Sequence, residues 1–183
     1  MLNRLLLEHD HILRELNLLE LQYLDMCRGN TPDYSLMRSI IVYIQEYPEQ
    51  IHHPLEDMIY SMILERIDGV DFVQALIAEH TKLEVVTREL KKTLESSSRD
   101  PAARDRLKQQ LSDFLVGQRQ HIYTEEVKVY PLVQSVLTEQ DWRRLHKMIP
   151  ILDEPIFGRR TREDYERLYQ EIENASKTKL LAA

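Results

Sequence analysis

The sequence predicts an all-α chain, an antiparallel up-down-up-down four-helix bundle with a C-terminal helical extension. Three observations carry that expectation. Only 4 of the 183 residues are Gly, too few for a turn-rich β-sandwich or barrel. Turn signals are sparse and evenly placed, at Gly29-Asn30-Thr31-Pro32-Asp33, Asp68-Gly69, Ser96 to Pro101 and Leu137-Thr138. The four segments between them, about 2–28, 34–67, 70–96 and 101–136, each carry apolar residues at helical spacing.

The first segment repeats Leu2, Leu5, Ile12, Leu16 and Leu19 along one face. The second carries Ile40, Ile41, Ile44, Ile51, Leu55, Ile59 and Ile63, and Pro48 inside it should kink the helix or cost it a hydrogen bond. The third carries a heptad-like row, Val73, Leu76, Leu83, Leu90 and Leu94. The fourth carries Leu107, Leu111, Phe114, Leu115, Val129, Leu132 and Val136, with Pro131 repeating the effect of Pro48 near its end. Short connections between long helices make sequential helices antiparallel neighbours. Thr138 with Asp141 reads as a capping box opening a short helix, about 139–149. A break at Pro150 to Gly158 and a last helix, about 161–174, follow. The expected domains are a bundle over 1–137 and a helical extension over 138–183 packed on it, with Tyr165, Leu168, Tyr169 and Ile172 on one side of the last helix.

Composition removes several functional classes. At 43% apolar content the chain can form a core. The lone Cys27 excludes a disulfide framework and a Cys-based zinc site. A net charge of −7 disfavours nucleic acid, and Arg159, Arg160 and Arg162 read as a solvated patch. No apolar run approaches a membrane span, and Met1 to Ile12 lacks a signal-peptide core. The expected location is cytoplasmic, with no membrane and no nucleic-acid partner. A protein partner or a homo-oligomer is left open.

The histidines carry the chemistry. Four His-x-x-x-Glu pairs occur, His11/Glu15, His52/Glu56, His80/Glu84 and His121/Glu125, where about 0.7 are expected by chance. Register is more discriminating. His9 continues Leu2, Leu5, Ile12 and Leu16, while His11 is turned about 200° away. His52 continues Ile41, Ile44, Leu55 and Ile59, whereas His53 falls on the row Glu46, Glu49, Gln50 and Asp57, which reads as solvated. His80 sits in the heptad row, and His121 continues Phe114 and Gln118 toward Glu125. Each helix thus sends one His inward.

Height along the bundle agrees. Residues at one level of an antiparallel hairpin lie symmetrically about its turn. The midpoints of His9/His52, Glu56/His80 and His80/His121 are 30.5, 68 and 100.5, each inside a turn signal. Four imidazoles with Glu56 and Glu125 at one buried level need compensation. Two metal ions supply it, since six ligands exceed one structural zinc. Nitrogen and oxygen donors without thiolate favour iron over manganese or zinc.

These residues resemble the hemerythrin-like, or HHE cation-binding, family over nearly the whole chain. The match lies in Glu8-His9, in His52-His53-Pro54-Leu55-Glu56-Asp57, in Glu79-His80, and in His121-Ile122-Tyr123-Thr124-Glu125-Glu126 followed by Tyr130-Pro131. Asp141-Trp142 and Glu154-Pro155-Ile156-Phe157-Gly158 look like extensions of bacterial members. The resemblance implies two irons, Fe2+ or Fe3+, with an oxo or hydroxo bridge. It implies His9, His52, Glu56, His80, His121 and Glu125 as ligands, with the glutamates bridging. Animal oxygen carriers of the family use five histidines, two of them as His-x-x-x-His on the third helix. Here Glu84 takes the second place, so a fifth inward imidazole is missing. Glu125 and Glu126 both stand near the family's fourth-helix carboxylate position, and Glu125 shares the His121 face.

The function so implied is the binding of a small diatomic, O2 or NO, for sensing, storage or detoxification. The alternative is an enzyme-like role in iron donation, iron–sulfur repair, or peroxide or NO reduction, which an open coordination position would permit. A helical interaction module with a structural or empty site is a third reading. Tyr43, Tyr47, Tyr123 and Glu79 are candidates to support the ligands.

Overall fold

The computed structural model describes residues 1–97 and 100–153, together with 170, 172 and 174. The described residues are all-α, with no strand among them. Each helix begins or ends where the local chemistry requires. Helix α1, Leu2–Cys27, stops at Gly29, whose φ of 84° costs glycine little. Asp33 caps α2, Tyr34–Glu46, by accepting from the N–H groups of Ser35 and Leu36. Gly69, at φ 75°, makes the turn between α3, His53–Leu64, and α4, Asp71–Ser97. Asp100 caps α5, Pro101–Thr124, with Pro101 in the first turn, where its missing N–H costs nothing.

Four rods result: α1, α2 continuing into α3, α4, and α5 continuing into α6 (Tyr130–Val136). The first rod packs on the second and fourth, and the third does the same. Their inner faces form two apolar cores. Ile12, Leu16, Ile40, Ile44, Leu90 and Phe114 belong to one. Leu5, Leu55, Ile59, Val73, Leu76 and Val129 belong to the other. Where the two meet on every rod lie the buried polar residues Glu8, His9, His52, His53, Glu56, His80, His121 and Glu125. The cores therefore close over a polar layer from both ends.

Two rods are not uniform α-helix. Pro48–His52 joins α2 to α3 as a π segment, in which the His53 N–H donates to the Pro48 carbonyl, five residues back. Glu125–Val129 joins α5 to α6 in the same way, with the Tyr130 N–H on the Glu125 carbonyl. The cause can be read from two prolines. Pro54 and Pro131 have no N–H, and each ring would strike the carbonyl four residues back. Those carbonyls belong to Gln50 and Val127, the middle residues of the two π segments. A π turn widens the ladder where an α turn would clash. The expected fault in the second rod thus takes the form of a register change, with Pro48 as its first residue.

One extra residue per turn shifts the helix phase by about 100°. The row expected to be solvated is accordingly split. Glu46, Gln50 and Asp57 are half-buried, but His53 and Glu49 are buried.

Helix α7, Glu139–Asp153, contains Pro150 and outruns the expected end at 149, because one proline removes one hydrogen bond without forbidding the turn. Its start is a capping box: the Thr138 hydroxyl donates to Asp141 Oδ2 at 2.6 Å, and the Asp141 N–H returns to Thr138 Oγ1. Arg66, just past α3, grips the same carboxylate with both terminal nitrogens. Ile172 is buried within the core of α1, α2, α4 and α5. The expectations for Glu154 to Gly158, for Arg159, Arg160 and Arg162, and for Tyr165, Leu168 and Tyr169 fall outside the described residues.

Glu49 carries a pH consequence of the first π segment. Burial pushes its carboxyl up to about 7, with Glu84 adding and Thr87, Arg88 and Lys91 opposing. The unfolded chain ionises first, so the native state holds the extra proton and stability falls as pH rises from about 4.5 to about 7. Replacing Glu49 with Gln is expected to remove this loss. In urea denaturation the variant should gain on the order of 2–3 kcal/mol over wild type at pH 8 and little at pH 5.

Candidate metal centre

The polar layer is organised around the two nitrogens of four imidazoles, those of His9, His52, His80 and His121. In each, Nδ1 points outward to a carboxylate on a neighbouring rod, and Nε2 points inward. His52 Nδ1–H donates to Glu8 Oε2 at 2.8 Å. His80 pairs with Asp57 at 2.7 Å, His121 with Glu79 at 3.2 Å, and His9 with Glu126 at 3.0 Å. These pairs run from rod one to two, two to three, three to four and four to one, and so close a ring around the bundle.

The acids of the ring occupy adjacent places in the sequence. Glu8 precedes His9, Asp57 follows Glu56, Glu79 precedes His80 and Glu126 follows Glu125. A neighbour on a helix is turned by about 100°, so an acid beside an inward residue faces the next rod. Glu8 is tied further by the Tyr47 hydroxyl, 2.6 Å from Oε1, and by Arg4. Burial works to raise the Glu8 pKa, but His52 and Arg4 outweigh it and hold it at about 2.

Inside the ring stand two fully buried carboxylates, Glu56 and Glu125. Glu125 Oε1 lies 3.3 Å from Nε2 of both His80 and His121, while Oε2 lies 3.3 Å from Nε2 of His9. Glu56 Oε2 lies 3.4 Å from His52 Nε2 and 3.6 Å from His80 Nε2, and Oε1 lies 3.6 Å from His9 Nε2. Each carboxylate faces both sides of the centre. Two phenols complete it. Tyr130 donates to Glu56 Oε1 at 2.6 Å, and Tyr60 donates to Glu125 Oε1 at 2.9 Å.

An imidazole that donates Nδ1–H outward presents a bare lone pair at Nε2. Those lone pairs face anionic oxygens, which is repulsive unless a cation lies between them. Protons can serve. Burial opposes protonating His9, yet Glu125 and Glu56 outweigh it and push the pKa up to about 10. His80 is pushed to about 10 by Asp57 and Glu125 against the same burial, and His121 is raised by Glu125. Metal ions serve better, because one ion satisfies several lone pairs at once. Among the buried side-chain atoms without a hydrogen-bond partner are four of the expected donors: His52 Nε2, His121 Nε2, Glu56 Oε2 and Glu125 Oε2. His53 joins them, its Nδ1 also unpartnered. Burial and the neighbouring His80, His52 and His121 hold its pKa well below the usual histidine value, so the ring is neutral.

Donor atoms gather in two groups, His9–His52–Glu56 and His53–His80–His121, with a third, Glu56–His80–Glu125, spanning them; within each group they lie within 4.8 Å of one another. All six residues expected at the centre are brought together there, and a seventh, His53, is added. His53 is 4% exposed and stacks on His80 at 4.2 Å, which corrects both its solvated placement and the missing fifth imidazole. The first π segment is the reason. Of the two candidate carboxylates on the fourth rod, Glu125 is at the centre and Glu126 belongs to the ring. Glu84 is half-buried beside Glu49 and joins none of the groups.

Tyr47 and Glu79 support the site as above, and Tyr43 stacks on Tyr47. Tyr123 is 58% exposed and takes no part. Sequence reasoning assigned no role to Glu8, Asp57, Tyr60 or Tyr130. For the first two, an acid beside an inward ligand was the available signal.

Removing an acid of the ring should weaken metal binding without unfolding the bundle. Asp57→Ala is expected to lower metal affinity about 10- to 100-fold, read by competition with a chromophoric chelator. Because the carboxylates of the centre raise the pKa of His9 and His80 to about 10 and also raise that of His121, metal uptake at pH 7 should release at least about two protons per chain. Calorimetry in buffers of different ionisation enthalpy measures that number, and affinity should fall with falling pH.

Comparison with known families agrees with this geometry. A family model described as the hemerythrin HHE cation binding domain matches residues 1–133. No curated protein matches the chain.

Proposed function

The chain belongs to the hemerythrin HHE cation binding family, and from that premise we propose a non-haem di-iron protein that binds a small diatomic, O2 or NO, for sensing, storage or detoxification. The supporting observation is the pair of imidazole groups, His9–His52 and His53–His80–His121, joined by carboxylates that face both. In this reading His53, His80 and His121 would hold one iron and His9 and His52 the other, with Glu56 and Glu125 available to both. Bound iron would supply reversible electron transfer to and from a diatomic. The donor set, nitrogen and oxygen without thiolate, suits iron ahead of manganese or zinc.

The remaining contributions are the protein's own. The carboxylate ring fixes each tautomer so that Nε2 lone pairs point inward. The two apolar cores keep bulk water from the centre, which strengthens every charge interaction there. The enzyme-like alternative drew on a missing fifth imidazole. His53 supplies that imidazole, so binding is favoured over turnover. The segment 138–183 is taken as an extension on the 1–137 bundle, supported by the Arg66–Asp141 pair and by buried Ile172.

Protein purified from iron-replete cells is expected to carry about two irons per chain. It should show the near-ultraviolet charge-transfer absorption of a bridged ferric pair, lost on reduction and altered by O2 or NO. His52→Ala with His121→Ala should abolish the loading. Wild-type protein that is fully stable yet free of iron would overturn the reading.

A further inference from the structure

The two halves of the centre are unequal. One has three imidazoles and the other has two, while the carboxylates are shared. A metal held by His9 and His52 therefore has fewer protein donors than its neighbour, and an external ligand has room there rather than beside His53, His80 and His121. A phenol stands on that poorer side. Tyr130 is 4% exposed, its ring stacks on His9 at 5.4 Å and 9°, and its oxygen lies 3.2 Å from His9 Nε2. The second π segment sets this position, since Tyr130 is the residue that follows it. Tyr60 is differently placed. Its hydroxyl goes to Glu125 and Glu56, and its ring lies 6.2 Å from His80, on the three-imidazole side.

We propose that the Tyr130 hydroxyl is a specificity-determining hydrogen-bond donor to the small ligand bound at the His9–His52 metal. The inference rests on the di-iron reading above. A phenol has one O–H to give, and Tyr130 is placed by its stack on His9 to give it on this side of the centre. At present it donates to Glu56 Oε1. A carboxylate that shares its electrons with metal is a weaker acceptor, which releases the O–H to a better one. The ligands rewarded are those that would carry negative charge at the far atom, drawn from the metal in O2 and NO or their own in small anions such as azide. Carbon monoxide, with little charge at oxygen, gains little. Tyr130 thereby acts on ligand choice, without touching the count of metal donors.

The test compares wild type, Tyr130→Phe and Tyr123→Phe, each loaded with ferrous iron, with iron per chain measured first. Tyr123 is exposed on the same rod and serves as the control. In the NO adduct of wild type, the N–O stretch should move between H2O and D2O. In Tyr130→Phe it should lie at higher wavenumber and lose that isotope effect. Azide should leave the oxidised Tyr130→Phe protein about two- to tenfold faster than wild type, the range for one lost hydrogen bond. Tyr123→Phe should match wild type in both. An unchanged stretch and rate in a fully loaded Tyr130→Phe protein would overturn the proposal. So would a tyrosinate-to-iron charge-transfer band in oxidised wild type that Tyr130→Phe removes, because Tyr130 would then be a ligand. The solvent isotope effect in wild type requires no variant to fold, and its absence counts against the proposal as well. Wild type that takes up no iron would sink the di-iron reading together with this inference; loaded wild type that fails the Tyr130 comparisons sinks this inference alone.

Discussion

Four imidazole–carboxylate pairs, passed from rod to rod until they close on themselves, hold the centre of this protein in place. Each pair ties the outward nitrogen of one histidine to an acid on a neighbouring rod. Each acid is also the sequence neighbour of an inward residue of its own helix. A rotation of any rod about its axis would therefore disturb two pairs, one through its acid and one through its imidazole. The apolar cores on either side fix spacing but are tolerant of rotation, since one aliphatic side chain can replace another at a contact. The ring supplies the angular definition that aliphatic packing lacks.

The same ring decides the electrostatics. With Nδ1–H of His9, His52, His80 and His121 committed outward, the inward face of the layer is made of lone pairs and two carboxylates. Such a layer has a built-in demand for positive charge. Protons meet it partly, which is why His9 and His80 are such strong bases despite burial. Metal ions meet it fully. Folding and cation binding are in this sense coupled through one set of hydrogen bonds.

Two π segments adapt a four-rod scaffold to this chemistry. Each lies ahead of a proline, and each resets the helix phase at the level where the ligands must converge. The first turns His53 inward beside His52. The second places Tyr130 against His9. Without them the second rod would offer one imidazole, and the fourth would direct Tyr130 toward the line of Glu126. Buried Glu49 is a by-product of the first, a carboxylate carried into the interior by the register change.

Much of this was legible in the residues. Periodicity and sparse glycine gave the helices, because burial of one stripe per helix leaves a period of 3.6 in the chain. The level at which His9, His52, Glu56, His80, His121 and Glu125 meet could be read from symmetry about the turns. Connections this short leave sequential helices little freedom to slide. The choice between Glu125 and Glu126 followed from their faces on a continuous α turn above the fault. The inward turn of His53 is not legible in the same way, because it depends on the π segment Pro48–His52 and a period cannot show an inserted residue. Which nitrogen of each imidazole faces inward, which acid reaches which neighbouring rod, and where the two phenols stand depend on side chains from separate helices meeting. The sequence alone determined the four helices and the level of the site. The tertiary structure decided the fifth imidazole, the closed ring and the inequality of the two halves, because each arises from contact between residues far apart in the chain.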